Sequence, residues 1–143
     1  MNRTPEIMYV DDNLADLALV QCALEEVGTE VHYHPMADSA AVCDCLLTMA
    51  EGCGVPPPDL ILLDLNMPRV SGLDVLDCIR HHERTHDLSV VMMTTSNRSE
   101  DRQACRLHGA DDYVVKPTSY QDLVDMLRKL VERMGTFDRV VQP

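Results

Sequence analysis

A handful of side chains in this sequence could do chemistry together, because each stands where a short apolar run stops. Ile7-Met-Tyr-Val10 stops on Asp11-Asp12, and Leu60-Ile-Leu-Leu63 stops on Asp64. Val90-Val-Met-Met93 stops on Thr94-Thr95, and Tyr113-Val-Val115 stops on Lys116-Pro117. Runs lying side by side would bring three carboxylates, a hydroxyl and an ammonium to one spot. Like charges ~4 Å apart repel by about 4 kcal/mol at an effective dielectric of about 20, so the acids call for a cation. Oxygen ligands without Cys or His favour a hard ion; Mg²⁺ suits a small, open, hydrated site, and Mn²⁺ would also fit. A carboxylate nucleophile at Asp64, beside such an ion, Lys116 and Thr94, is what phosphoryl transfer onto an aspartate requires. One strand-end acid means little by itself. The joint pattern over four strand ends carries the weight.

The elements that must position these groups follow from pattern and punctuation. The runs are short, and Leu60 to Leu63, bounded by charge and proline, reads as a fully buried strand of a parallel sheet. In an open parallel sheet, ligands sit outside the carboxyl ends of the strands. Asp11-Asp12-Asn13 supplies a helix start, Leu17, Val20, Leu24 and Val27 follow at helical spacing, and Gly28 ends the helix. Val31 to His34 alternates before Pro35, as a strand nearer the sheet edge would. Asp38-Ser39 opens a second helix with Cys43, Leu46, Leu47 and Ala50 on one face, and the Gly/Pro-rich stretch 51–58 is a loop. Pro68 to Gly72 turns into a third helix carrying Leu73, Leu76 and Ile79. Ser99 or Asp101 can cap a fourth, ending at Gly109, whose thin apolar content (Ala104, Cys105, Leu107) marks it as a candidate mobile element. The last helix, 119–134, carries Leu123, Leu127, Leu130, Val131 and Met134 inward and is closed by Gly135. Five strand–helix alternations predict a doubly wound α/β fold with right-handed crossovers.

Composition narrows the function classes. The chain has 143 residues, 45% apolar content and a formal charge of −12. That size suits one domain, here residues 1–135, followed by a tail over 136–143. The acidity argues against a nucleic-acid surface, which needs a basic stripe. No apolar run is long enough to cross a bilayer, and no signal-peptide pattern opens the chain, so a cytoplasmic protein is expected. Six cysteines contain no Cys-x-x-Cys pair and read as free thiols. Phe137, Val140 and Val141 make the tail a candidate dimerisation arm, predicting a homodimer. His82-Glu-Arg-Thr-His86 matches a zinc-protease motif, but its place at the end of a short helix, without a third ligand, favours a plain polar surface. A dehalogenase-type phosphatase would want a second acid where Asn66 stands, together with a longer core. No phosphate-binding Gly-x-x-x-x-Gly-Lys loop occurs.

With these residues in place, the chain resembles the receiver domain of bacterial two-component response regulators over about residues 5–134. The pieces that carry the resemblance are Asp11-Asp12, Leu-Leu-Asp64-Leu-Asn-Met-Pro68 followed by Gly72, Thr94, and Tyr113-Val-Val-Lys116-Pro117. It implies a flavodoxin-like (βα)5 fold with a five-stranded parallel sheet in the order 2-1-3-4-5. Asp64 would be the phosphoacceptor for a sensor histidine kinase. Asp12 and Asp64 would ligate Mg²⁺ by carboxylate, Asn66 by its backbone carbonyl, and Asp11 through metal-bound water. Lys116 would contact the phosphoryl group, and the Lys116–Pro117 bond would be cis. Thr94 would be the switch hydroxyl, Thr95 being the alternative, with Tyr113 as the aromatic switch. The Pro-rich loop, Met67-Pro-Arg69 and Thr94-Thr-Ser96 are similar to single-domain regulators paired with bacterial phytochromes, implying such a kinase as partner and a protein target downstream. Thr118 departs from the Phe frequent after Lys-Pro in the family. The resemblance implies a regulatory phosphoacceptor with intrinsic dephosphorylation, not a turnover enzyme. A constitutive receiver-like binding module or a phosphate sink is the competing reading.

Overall fold

Side chains alternate across a strand with a period of two, so a fully apolar strand must be covered on both faces. The computed structural model describes residues 3–141, with side chains through Met134. Its strands are β1 Glu6–Val10, β2 His32–Met36, β3 Leu60–Leu63, β4 Val90–Thr94 and β5 Asp112–Val115. They alternate with helices α1 Leu14–Val27, α2 Val42–Ala50, α3 Gly72–His81, α4 Ser99–Leu107 and α5 Tyr120–Val141. The strands are all parallel and lie in the order β2-β1-β3-β4-β5, so the chain reverses its winding after β2. The expected topology is the observed one.

The alternation divides the core in two. Ile7, Tyr9, Leu60, Leu62, Val91 and Met93 face α1 and α5, packing on Leu17, Val20, Leu24, Val124, Leu127 and Leu130. Met8, Val10, Ile61, Leu63, Val90 and Met92 face α2, α3 and α4, packing on Val42, Leu46, Leu76, Ile79 and Cys105. Each fully buried aliphatic side chain contributes roughly 1.5–3 kcal/mol. The central strands are therefore the stiffest part of the molecule, and what projects from their ends is held firmly.

Local signals set most boundaries. Asn13 caps α1 by accepting from the Asp16 N–H at 3.1 Å, and Gly28 closes it in the left-handed conformation at φ 86°. Ser71 and Asp74 form a reciprocal capping box on α3. β2 is an edge strand, as its proline predicts, and it runs through Pro35 to Met36.

Four expectations are corrected. Helix α5 passes through Gly135 to Val141, because a single glycine costs only about 1 kcal/mol in a helix that its neighbours propagate. The side chains of Phe137, Val140 and Val141 lie outside the described residues. Neither Ser99 nor Asp101 caps α4: Arg98 is the cap residue without a side-chain bond, and Asp101 instead accepts from the Ser96 hydroxyl. Leu107, counted with the apolar face of α4, is 73% exposed, so Cys105 is that helix's single buried residue. Cys43 and Cys78, read as free thiols, are joined as a disulfide between α2 and α3 with a Cα–Cα distance of 6.4 Å. Two helices packed on the same sheet face bring together residues whose sequence spacing carries no pairing signal.

Candidate functional site

The carboxyl ends of β1, β3, β4 and β5 converge as the sequence predicts. Ladder hydrogen bonds continue one residue past the strands and pin the acids: the Asp11 N–H donates to Met36 O and the Asp64 N–H to Val10 O, both at 3.0 Å. Asp11, Asp12 and Asp64 each offer a carboxylate oxygen within 4.8 Å of one another, the one such group of three or more potential metal ligands among the described residues. Asp11 and Asp64 are buried and Asp12 is exposed. Lys116 Nζ donates to Asp11 Oδ2 at 2.6 Å and lies 3.8 Å from Asp64 Oδ1. Thr94 ends β4 fully buried, accepting from the Ser96 N–H at 3.3 Å, whereas Thr95 is exposed. The Lys116 N–H donates to Thr94 O at 2.7 Å, which ties the end of β5 to the end of β4.

The loop after β3 is held close to its strand by Gly72. Its N–H donates to Leu65 O at 2.8 Å, and a Cβ there would strike the Asp64 carbonyl oxygen and lie 2.8 Å from Leu65 Cα. Only a residue without a side chain lets α3 start so near the nucleophile candidate. Asn66 stands exposed in this turn between buried Leu65 and Met67.

The electrostatics are those of crowded acid. Burial pushes the Asp64 carboxyl up to about 6; the neighbouring Asp11 and Asp12 charges add to this, while Lys116 and the Leu65 N–H oppose it. Burial works against the Lys116 ammonium, but bonds to Asp11 and Asp16 outweigh it and raise its pKa. Tyr9 is held protonated well above the usual phenol range, first by burial and then by its hydrogen bond to Asp11. An all-oxygen donor set, one ligand open to solvent and a surplus of negative charge fit a hard divalent cation.

Other expectations resolve unevenly. Tyr113 is buried, with its hydroxyl donating to Ser96 O at 2.8 Å and the Arg102 guanidinium 4.7 Å above its ring. The Lys116–Pro117 bond, expected to be cis, is trans, since no described peptide bond is cis. Trans is the lower-energy isomer of an X–Pro bond by about 0.5–1 kcal/mol, and the short turn to the Ser119 cap of α5 accommodates it. The zinc motif dissolves: α3 ends at His81, and His82 and His86 sit in the following turn, with His86 paired to Asp87 at 2.9 Å.

Two residues at the site escaped the sequence reading. Tyr9 lies two positions before Asp11, so the period of the strand could have put both on one face. Asp16, in the first turn of α1, accepts from Lys116 Nζ at 2.8 Å. Its position reads equally well as an ordinary acid at a helix start, and only the fold, which brings Lys116 to the start of α1, reveals the contact.

Comparison with known proteins agrees with this geometry. Residues 7–128 match the response regulator receiver domain family, and the chain belongs to it. It is 33% identical over 126 residues to a probable methanogenesis regulatory protein, FilR2, of Methanothrix harundinacea, covering 88% of this chain and 81% of that protein. It is 40% identical over 129 residues to the phosphate regulon transcriptional regulatory protein PhoB of Klebsiella pneumoniae, covering 90% of this chain and 52% of PhoB. The chain thus spans about half the length of PhoB. Among solved structures, the phosphorylated cyanobacterial phytochrome response regulator RcpA superposes with a TM-score of 0.82 at 27% identity, covering 92% of this chain and 94% of RcpA. The Mn²⁺-bound response regulator Rcp1 superposes with a TM-score of 0.76 at 31% identity, covering 88% and 91%. Its structural neighbours thus include a phytochrome-associated regulator.

Proposed function

We propose that this receiver domain accepts a phosphoryl group on Asp64 from a phosphohistidine of a sensor kinase, and that the modification shifts its α4–β5 face between two states. The observation that carries the reading is the convergence of Asp11, Asp12 and Asp64 with Lys116 and Thr94 at one rim of the sheet. An Asp64 carboxylate oxygen attacks phosphorus as the N–P bond to the kinase imidazole breaks, and the imidazole leaves with the electron pair. Lys116 meets one phosphoryl oxygen with its ammonium, and the Thr94 hydroxyl donates to another. Asp12 and Asp64 by carboxylate, Asn66 by backbone carbonyl and Asp11 through water would hold Mg²⁺ or Mn²⁺; the Mn²⁺-bound form of Rcp1 supports a divalent cation. A bound Mg²⁺ supplies neutralisation of the charge gathering on the transferred group.

Movement of Thr94 toward the phosphoryl group would be felt at Ser96, whose N–H bonds Thr94 and whose carbonyl holds Tyr113. Helix α4, whose one buried residue is Cys105, is the element that responds. The same cluster returns the phosphoryl group to water, which makes the domain a timed switch signalling through protein contacts. A phytochrome-type kinase is the partner we favour, on the likeness to RcpA. The continuous helix beyond Gly135 supports a homodimer; truncation there should lower the mass seen by light scattering, and an unchanged mass would reject the dimer arm. The deciding experiment is intact mass after incubation with acetyl phosphate, with and without Mg²⁺, on wild type and Asp64→Asn. One added phosphoryl group requiring both Mg²⁺ and Asp64 supports the reading. No adduct on wild type would favour a constitutive binding module.

A further inference from the structure

Lys116 is engaged by two acids besides Asp64, on which its proposed work falls. Its Nζ lies 2.6 Å from Asp11 and 2.8 Å from Asp16, but 3.8 Å from Asp64. The two short contacts are hydrogen bonds, and the third is an ion pair without one. An ammonium has three donors, and two are committed to Asp11 and Asp16, neither to the phosphoacceptor. Asp11 is buried at the end of β1, whereas the Asp16 side chain is 30% exposed in the first turn of α1. Of the two, Asp16 is the partner that water can take over when the contact opens.

We propose that Asp16 is a positioning residue that holds the Lys116 ammonium on the α1 side of the cluster, so that phosphorylation of Asp64 must break the Lys116–Asp16 pair. The inference rests on the reading of Asp64 as phosphoacceptor. A phosphoryl group brings roughly 1.5–2 negative charges against the one on Asp16, so the ammonium transfers to it. Transfer restrains the phosphoryl group and at the same time unties the first turn of α1 from β5. The released carboxylate lines a small pocket with Leu19, which is 46% exposed, so a change of state at Asp64 alters charge beside an exposed apolar residue of α1. The competing account, an acid that merely favours a helix N-terminus, leaves its contact with Lys116 without consequence. The backbone half of its role, the Asp16 N–H donated to Asn13, survives substitution.

The test uses the chain's two lysines, since Lys129 is exposed on α5 and serves as internal reference. Metal-free wild type, Asp16→Asn and Asp16→Glu are treated briefly with an amine-acylating ester, and labelling is read by peptide mass. Asp16→Asn should raise labelling of Lys116 relative to Lys129 by about threefold, the ratio set by losing one partly exposed charged hydrogen bond. Asp16→Glu should stay at the wild-type ratio. With acetyl phosphate and Mg²⁺, the Asp16→Asn adduct should form about threefold faster, because the ammonium is no longer contested. Unchanged labelling and rate in Asp16→Asn, or equal changes in both variants, would overturn the proposal. A wild type that takes no phosphoryl group would remove the phosphoacceptor reading and this role with it. An adduct on wild type with Asp16→Asn indistinguishable from it removes the role alone.

Discussion

The two ends of this sheet solve the same problem in opposite ways. At the amino ends of the strands, buried Glu6 is met by His32 Nδ1 at 2.5 Å and His34 Nε2 at 2.6 Å from the edge strand. Beside it, Asp59 accepts from Arg3 and from the Glu6 N–H. Burial works against the Glu6 charge, but bonds from His34 and His32 hold its carboxyl below the usual range. At the carboxyl ends, Asp11, Asp16 and Asp64 share one lysine with Asp12 close to two of them, and the Asp64 carboxyl is pushed up to about 6. One end is compensated by its own side chains. The other is left short of positive charge, and that deficit is what a cation or a chemical modification can use. Buried charge by itself therefore does not mark a site in this fold; uncompensated charge does.

The contrast is most severely tested by removing the lysine. Lys116→Ala should destabilise the metal-free domain by about 3 kcal/mol, the lower range for breaking a buried pair, because three carboxylates then lack their shared partner. Mg²⁺ should restore much of the loss in a thermal melt, and a variant as stable as wild type would break the comparison. Next in size, Asp64→Asn should stabilise the metal-free domain by roughly 1–3 kcal/mol at pH 7.5, given 1.36 kcal/mol per pKa unit. The sign follows from proton binding: with its folded pKa raised, Asp64 favours the native state below about 4 and loses that contribution as pH rises through about 6. The gain from Asp64→Asn should accordingly vanish as pH approaches 4; an equal gain at both pH values would rule out the carboxylate as cause.

Glu6→Gln should act with the opposite sign, costing about 1–2 kcal/mol at pH 7 through the loss of charged hydrogen bonds. Because the folded pKa of Glu6 is lowered, its contribution is present above the ordinary value of 4.5 and lost as pH falls through the folded one. Denaturant midpoints for Glu6→Gln and wild type should converge in that acidic window. Stabilisation by Glu6→Gln at pH 7 would mean that the two ends are alike. The smallest effect is expected of Arg3→Ala, at about 0–1 kcal/mol, since the Arg3 side chain is 54% exposed and its pair with Asp59 is screened. A larger loss would show that the amino end depends on its surface partner as well as on its buried histidines.

Much of the carboxyl end could be read without coordinates. Asp64, Thr94 and Lys116 each follow an apolar run, and a run too short for a helix must deliver its last residue to the sheet rim. Counting back from Gly109 favours Thr94 over Thr95 as the switch hydroxyl, and in the fold Thr94 is buried while Thr95 is exposed. Gly72 was visible as a residue type, but its purpose, clearing the Asp64 carbonyl, depends on how α3 approaches β3. The amino end was invisible as a network: Glu6 and His32 are far apart in sequence and meet because the parallel register pairs them. The Cys43–Cys78 link, the passage of α5 through Gly135 and the trans bond at Pro117 were missed because spacing and single-residue preference omit the neighbours that decide them.

By itself the sequence determined the strands, their burial, the order of strand and helix, and which acids, hydroxyl and ammonium stand at strand ends. These follow from local periodicity and from the need to cover apolar runs on both faces. Only the tertiary structure decided how charge is shared: that Glu6 is matched by two histidines, that Tyr9 donates to Asp11, and that Lys116 is divided among Asp11, Asp16 and Asp64. The physical reason is that charge compensation depends on distance and burial between segments remote in sequence, which register and helix packing set and local pattern does not encode.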